Sequence, residues 1–191
     1  YWDLVDRLPR FQGGFIWDWR DKALVRLVDG RPEWAYGNEF DGGIGPDGYD
    51  YGRRENPQMC LNGVVNPDLT PKPGAWEVKK VQAPVAFLGA DETVSPAVAL
   101  KDACCYEVIV WNKYLALDLA HLEIVWELTV DGVVWQEGVL PAPDVAPEER
   151  GVLRIPAPKT RRPTAKGPGE CWLNLRARQK EATPWSEAGH M

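Results

Sequence analysis

Residues 122–130 read LEIVWELTV, and Asp131-Gly132 follows them directly. Apolar residues occupy every second position from Leu122 to Val130, which predicts a strand with one buried face. An Asp-Gly pair between two apolar runs is typical of a two-residue hairpin turn, and VVW at 133–135 predicts the returning strand. This part of the chain is therefore expected to be antiparallel β-structure.

Three further segments, at 106–111, 151–155 and 172–178, predict short strands on either side of this hairpin. Turn-rich segments separate them, and no helical pattern lies between them. Short strands joined in this way favour an antiparallel β-sandwich. We place the start of this domain near residue 84.

The preceding residues show a different pattern. Residues 1–10 predict the end of a helix, and FIWDW at 15–19 predicts a strand buried on both faces. Residues 20–66 are glycine-rich and predict a long loop, and 74–82 predict a helix that begins behind a proline. One strand, one loop and one helix form a single β/α unit, which cannot build a core alone.

Composition limits the classes of partner. The net charge is −6 and the isoelectric point is near 5.0, which disfavours nucleic acid and anionic membranes because both repel an acidic surface. No run approaches the ~20 apolar residues that cross a membrane. Neutral ligands such as sugars carry no such penalty.

Tryptophan and cysteine usage adds two expectations. For most of the ten tryptophans we expect core packing, with a minority on loops or strand ends. The cysteines, Cys60, Cys104, Cys105 and Cys171, form no CxxC pair, so we expect no zinc site but reduced, buried thiols in a cytoplasmic protein.

The segment Trp17-Asp18-Trp19 is the first candidate for a binding site. Indole faces stack on the apolar C–H faces of sugars, and a carboxylate accepts hydrogen bonds from hydroxyl groups. This combination is typical of carbohydrate sites, although ordinary packing of the same side chains is the alternative.

The loop around Asn62 is the second candidate. Its side-chain oxygen, together with loop carbonyls, suits a hard cation with oxygen ligands. The alternative is a turn asparagine that bonds its own backbone before Gly63.

Other polar residues are weaker candidates for a functional site. Glu33, Glu39 and Asp41 could supply a glycosidase carboxylate, but solvated loop side chains are the simpler interpretation. His121 and His190 have no recognisable nucleophile partner. The basic residues of 159–166 are interpreted as a solvated loop.

Six ordered motifs resemble the large β-galactosidases of glycoside hydrolase family 2. They are GGFIWDW at 13–19, WAYG at 34–37, CLNGVV at 60–65, TPKP at 70–73, DVAP at 144–147 and TPWSEAGH at 183–190.

The resemblance implies an α+β composite fold. Residues 1–83 would form the C-terminal part of a (β/α)₈ barrel, namely its last strand, active-site loop and last helix, and 84–191 an immunoglobulin-like β-sandwich. It also implies that Trp17 lines the galactosyl subsite. The main-chain oxygen of Met59 and the side chain of Asn62 would bind sodium, with Met59 standing where the family usually has an aromatic residue.

The same resemblance places the two catalytic glutamates, the third sodium ligand (an aspartate) and the magnesium ligands on segments upstream of this chain. We therefore expect no catalytic residue here. The chain would be a fragment of a retaining β-galactosidase, inactive alone, whose partners are a β-galactoside substrate, the remainder of the barrel and other copies in a homo-oligomer.

Two other hypotheses stay open. The chain could be a stand-alone carbohydrate-binding module that uses Trp17, Trp19 or Trp34. Alternatively, residues 84–191 could have a structural role that braces the barrel or joins subunits.

Overall fold

The computed structural model describes residues 1–35, 61–89, 100–101, 105–159 and 170–191. These residues divide into two compact units, Tyr1–Gln82 and Ala83–Met191.

The elements are numbered in chain order. The helices are α1 (Trp2–Arg7) and α2 (Pro73–Val81). The strands are β1 (Leu24–Val28), β2 (Arg31–Ala35), β3 (Val85–Leu88), β4 (Leu100–Lys101), β5 (Cys105–Asn112), β6 (Leu122–Val130), β7 (Val133–Pro141), β8 (Arg150–Pro156) and β9 (Cys171–Gln179).

In the second unit, two antiparallel sheets are built around a central strand each. Strand β6 lies between β7 and β9. Strand β5 pairs with β8 along one edge and with β3 and β4 along the other. The strands expected from the sequence are confirmed, and β6 has the predicted bounds because its apolar alternation is unbroken. Strands β3 and β4 were not predicted individually.

Both sheets contribute to one hydrophobic core, so this unit is a β-sandwich. Its largest fully buried apolar side chains include Ile124 and Leu128 from β6, Val110 from β5 and Ile155 from β8. The immunoglobulin-like order of the strands stays a prediction. On the other face of β6, Glu127 forms an ion pair with Arg176 of β9, with 3.0 Å between Oε1 and Nη1.

In the first unit, both predicted helices are confirmed, but the predicted loop over 20–66 is wrong in its first part. Strands β1 and β2 form a hairpin there, with Val28 opposite Arg31. Asp29 and Gly30 make its turn with φ values of 51° and 76°. The rest of that predicted loop, residues 36–60, lies outside the described residues.

The strand predicted over FIWDW at 15–19 is also wrong. These residues form no ladder, and the first β-bridge on this segment is the parallel pair of Arg20 with Val65. A strand needs a neighbour along its length, and the segment at 61–65 reaches only its end. Phe15 is fully exposed instead of buried.

The expectation that most tryptophans pack in a core is contradicted. All ten lie in described residues, and only Trp126 is buried. Six of them are exposed: Trp17, Trp19, Trp34, Trp76, Trp172 and Trp185. The physical reason in the first unit is the lack of a core, since its buried described residues are only Asp21, Ala35 and Val65.

Candidate functional site

Trp17 presents its indole ring at the surface of the first unit, with 78% of the residue exposed. The peptide bond that joins it to Asp18 is cis. The Lys22 ammonium lies 5.4 Å from the centre of the indole ring. An indole so exposed has area available for stacking on an apolar ligand face.

Asp18 forms an ion pair with Lys22, because its Oδ2 atom lies 2.5 Å from Nζ. The same oxygen is buried. An ammonium at this range neutralises the charge of the carboxylate. Asp18 is therefore held beside Trp17 by a residue of its own segment.

The backbone of residues 61–65 binds the Trp17 segment. The Asp18 amide donates to the Asn62 carbonyl at 3.4 Å, and the Val65 amide donates to the Trp19 carbonyl at 3.0 Å. The structure thus brings Asn62 next to the residue that follows Trp17. Of the predicted site residues, Trp17 and Asn62 lie in the described part of the chain.

Gly63 permits this close approach. A Cβ atom at this position would lie 2.3 Å from the backbone nitrogen of Asp21 and 2.5 Å from the carbonyl carbon of Arg20. No side chain fits at such distances, so glycine is required here by the contact between the two segments.

The side-chain oxygen of Asn62 is buried and, among the described residues, has no hydrogen-bond partner. A buried amide oxygen without a donor is energetically costly, and such groups are usually satisfied by a partner, a water or an ion. Its chemistry fits a hard cation that takes oxygen ligands. Met59, the other predicted sodium ligand, lies outside the described residues.

A buried ion pair that the sequence did not reveal contacts the two residues that flank Asn62. Asp21 is 3% exposed, and its Oδ1 and Oδ2 atoms lie 2.8 Å and 2.7 Å from the Lys72 ammonium. Asp21 Oδ1 also accepts the Gly63 amide at 2.7 Å. The two residues stand 51 positions apart, so no local pattern connects them. The TPKP motif at 70–73 was the only available signal.

The remaining candidates are placed elsewhere or are not described. Glu33 lies on β2, half exposed, with an Oε2 atom 3.8 Å from Arg26 Nη2. Glu39, Asp41, Cys60, Cys104 and residues 160–169 lie outside the described residues. The expectation of buried thiols is wrong for Cys171, which is exposed. His121 Nε2 lies 3.5 Å from the Tyr114 hydroxyl, in the turn before β6. Within the described ranges, no cluster of three or more His, Cys, Asp or Glu side chains could hold a metal.

Two protein-family models match this chain. The family model described as "Glycosyl hydrolases family 2, TIM barrel domain" matches residues 1–87. A second model, "Beta-galactosidase, domain 4", matches residues 108–191. The first match extends past the division between the two units, to residue 87, and the second match lies within the second unit.

Curated relatives agree over the whole chain. "Beta-galactosidase 2" of Enterobacter cloacae is 36% identical over 191 residues. "Beta-galactosidase" of Yersinia enterocolitica and that of Yersinia pseudotuberculosis are each 34% identical over the same length. All of this chain is covered in each case, but it spans only 16% of each relative. Both comparisons support a segment of a β-galactosidase of glycoside hydrolase family 2.

Neither helix in the described part of the chain has the length and apolar character needed to cross a membrane.

Proposed function

We propose that this chain supplies one wall of the galactose pocket and part of a sodium site in a retaining β-galactosidase. Trp17 would stack on the sugar, and Asn62 would bind the ion. The observation that supports this most is an exposed indole near a buried amide oxygen that has no hydrogen-bond partner among the described residues, on two segments that are hydrogen-bonded together.

The exposure of Trp17 supports its role as a sugar platform. With 78% of the residue facing solvent, the face of the indole ring is available to a sugar. Stacking of the ring on the C–H face of a galactose would bury apolar area on both partners. The neighbouring Asp18 carboxylate is neutralised by Lys22, so the indole and not a free charge dominates this surface.

The Asn62 side chain supports the sodium site. Its Oδ1 atom would be one ligand, and the main-chain oxygen of Met59 would be a second. Bound sodium would supply a positive charge that orients a hydroxyl group of the sugar. The protein's own contribution would be to bury the Asn62 oxygen away from solvent. The backbone hydrogen bonds would also fix the position of Asn62 relative to the Trp17 segment.

Acid–base and nucleophilic steps would be performed outside this chain. A retaining glycosidase uses two carboxyl groups about 5–5.5 Å apart, one as nucleophile and one as acid and then base. The resemblance to the family assigns both glutamates, and the magnesium ligands, to earlier barrel strands. The proposed role of residues 1–83 is therefore binding and orientation.

The fold proposal follows from the same reasoning. Residues 1–83 would complete a (β/α)₈ barrel whose earlier strands cover the exposed face of α2, where Trp76 is largely uncovered. Residues 84–191 would form the immunoglobulin-like domain that follows it. We also propose a cytoplasmic homo-oligomer for the complete polypeptide.

Hydrolysis of a chromogenic β-galactoside tests the proposal that this chain binds the sugar while the catalytic residues lie elsewhere. The purified 191-residue chain is expected to release no chromophore above the buffer rate, because it lacks the two glutamates. The complete polypeptide that carries this chain is the positive control. Turnover by the isolated chain at enzyme-like rates would overturn the proposal.

The exposed tryptophans favour one alternative, a binding module that acts without the rest of an enzyme. Titration of the isolated chain with galactose, followed by tryptophan fluorescence, separates the two functions. Saturation below millimolar concentrations would support the module, whereas the main proposal expects no saturation in this range.

A further inference from the structure

We propose that the buried Asp21–Lys72 ion pair is a positioning device for Asn62 and, through it, for the sodium ion. This inference rests on the proposed sodium site and adds two residues to it. Neither residue would touch the ion or the sugar. Each would act by fixing the backbone on one side of Asn62.

The contacts enclose Asn62 from both directions along the chain. On one side, the Gly63 amide donates to Asp21 Oδ1 at 2.7 Å. On the other, the Lys72 ammonium donates to the Leu61 carbonyl at 3.4 Å. The peptide groups that flank Asn62 are thus bound to the two members of one ion pair. Rotation of the Asn62 backbone would have to break at least one of these bonds.

The backbone of Lys72 strengthens the same arrangement. Its amide donates to the Val64 carbonyl at 3.1 Å, so Lys72 contacts the 61–65 segment through main chain and side chain alike. The Asn62 carbonyl in turn accepts the Asp18 amide. Movement at the ion pair would therefore reach both Asn62 and the residue next to Trp17.

Burial explains why the device needs both charges. The Asp21 carboxylate is almost fully removed from solvent, while the Lys72 side chain is 28% exposed. Removing one partner leaves an uncompensated buried charge, whereas replacing both with neutral groups often leaves stability unchanged. Stability and positioning can thus be separated by choosing the variants.

The experiment measures sodium binding to the complete polypeptide by the line width of the sodium NMR signal. Sodium chloride is exchanged for choline chloride at constant ionic strength. Mutation of a group that hydrogen-bonds to a metal ligand typically lowers the metal affinity by about 10–100-fold. We expect Asp21→Asn and Lys72→Met each to raise the half-saturating sodium concentration by about tenfold or more. The melting temperature in choline chloride reports folding separately.

A matched control comes from the sandwich. Glu127→Gln also replaces an ion-paired carboxylate by its amide, and it should leave sodium binding unchanged. If a single variant at the buried pair fails to fold, the double variant Asp21→Asn/Lys72→Met leaves no buried charge and still removes the bond to the Leu61 carbonyl. It is expected to fold and to bind sodium weakly.

Two contrary results are distinguishable. If the wild type responds to sodium and the folded single or double variants respond at the same concentration, the positioning role is wrong and the sodium site stands. If the wild type itself gives no sodium response, the sodium site and this inference both fail. A lower melting temperature with unchanged sodium binding would show a merely structural ion pair.

Discussion

At the scale of single residues, the candidate site depends on contacts that only partly show in the sequence. Trp17 and Asn62 could be singled out because their side chains have recognisable chemistry, whereas the need for glycine at position 63 shows only in the structure. Asp21 and Lys72 could not, because their partnership exists only after residues 17–21 and 61–72 meet. Charge pairing over such a separation is a product of the fold.

The turn before Lys72 allows a test at this scale. Asp68 Oδ1 accepts the Thr70 hydroxyl at 2.6 Å and the Thr70 amide at 3.0 Å. These bonds, the hydroxyl first, lower the pKa of Asp68 below its ordinary value of 3.8. The stability that they add is fully present above pH 3.8 and is lost as the pH falls through the lowered pKa.

Thr70→Val removes the hydroxyl donor, so the pKa of Asp68 is expected to rise toward 3.8. The measurement is an NMR titration of the side-chain carboxyl carbons, with Asp68→Asn to assign the signal. An unchanged Asp68 titration in the valine variant would contradict the proposed cause.

At the scale of elements, strands could be predicted where apolar and polar residues alternate regularly and a neighbouring strand is present. The alternation in 122–130 gave β6 its bounds, because the strand has a buried and a solvated face. The β1–β2 hairpin was missed, although Asp29-Gly30 is the same turn signal as Asp131-Gly132. The apolar residues of β1 do not alternate strictly, and Pro32 weakens the strand pattern of β2. In 15–19 the alternation was present but the neighbouring strand was not.

The contact between β6 and β7 gives a second prediction. Gly138 lies opposite Trp126, and an added Cβ would lie 2.8 Å from the indole Nε1 atom. Gly138→Ala is expected to lower the free energy of unfolding by about 1–3 kcal/mol, since a buried indole has little room to shift. Urea unfolding of the chain measures it.

Val139→Thr, at the next residue of β7, is the control. This residue is about half exposed, so its substitution should change stability by at most about 0.5 kcal/mol. Equal stability of the Gly138 variant and the wild type would mean that the indole does not pack against this glycine.

At the scale of the whole molecule, the two units differ in how complete they are. The sandwich has a core to which both sheets contribute, and its class could be predicted from short alternating strands. The first unit has few buried residues in its described part and leaves Trp17, Trp19 and Trp76 exposed. Sequence reasoning assumed that tryptophans find a core within the chain. That assumption fails where the proposed barrel takes its other strands from further polypeptide.

The central claim is that the exposed Trp17 indole forms a wall of the sugar pocket. The most direct measurement compares kcat/KM for a chromogenic β-galactoside in Trp17→Ala and Trp185→Ala forms of the complete polypeptide. The two tryptophans are similarly exposed, at 78% and 82%. Truncation of an aromatic contact residue can cost about 2 kcal/mol, so we expect Trp17→Ala to lose roughly 30-fold in kcat/KM and Trp185→Ala to match the wild type. Equal kcat/KM values for Trp17→Ala and the wild type would contradict the account.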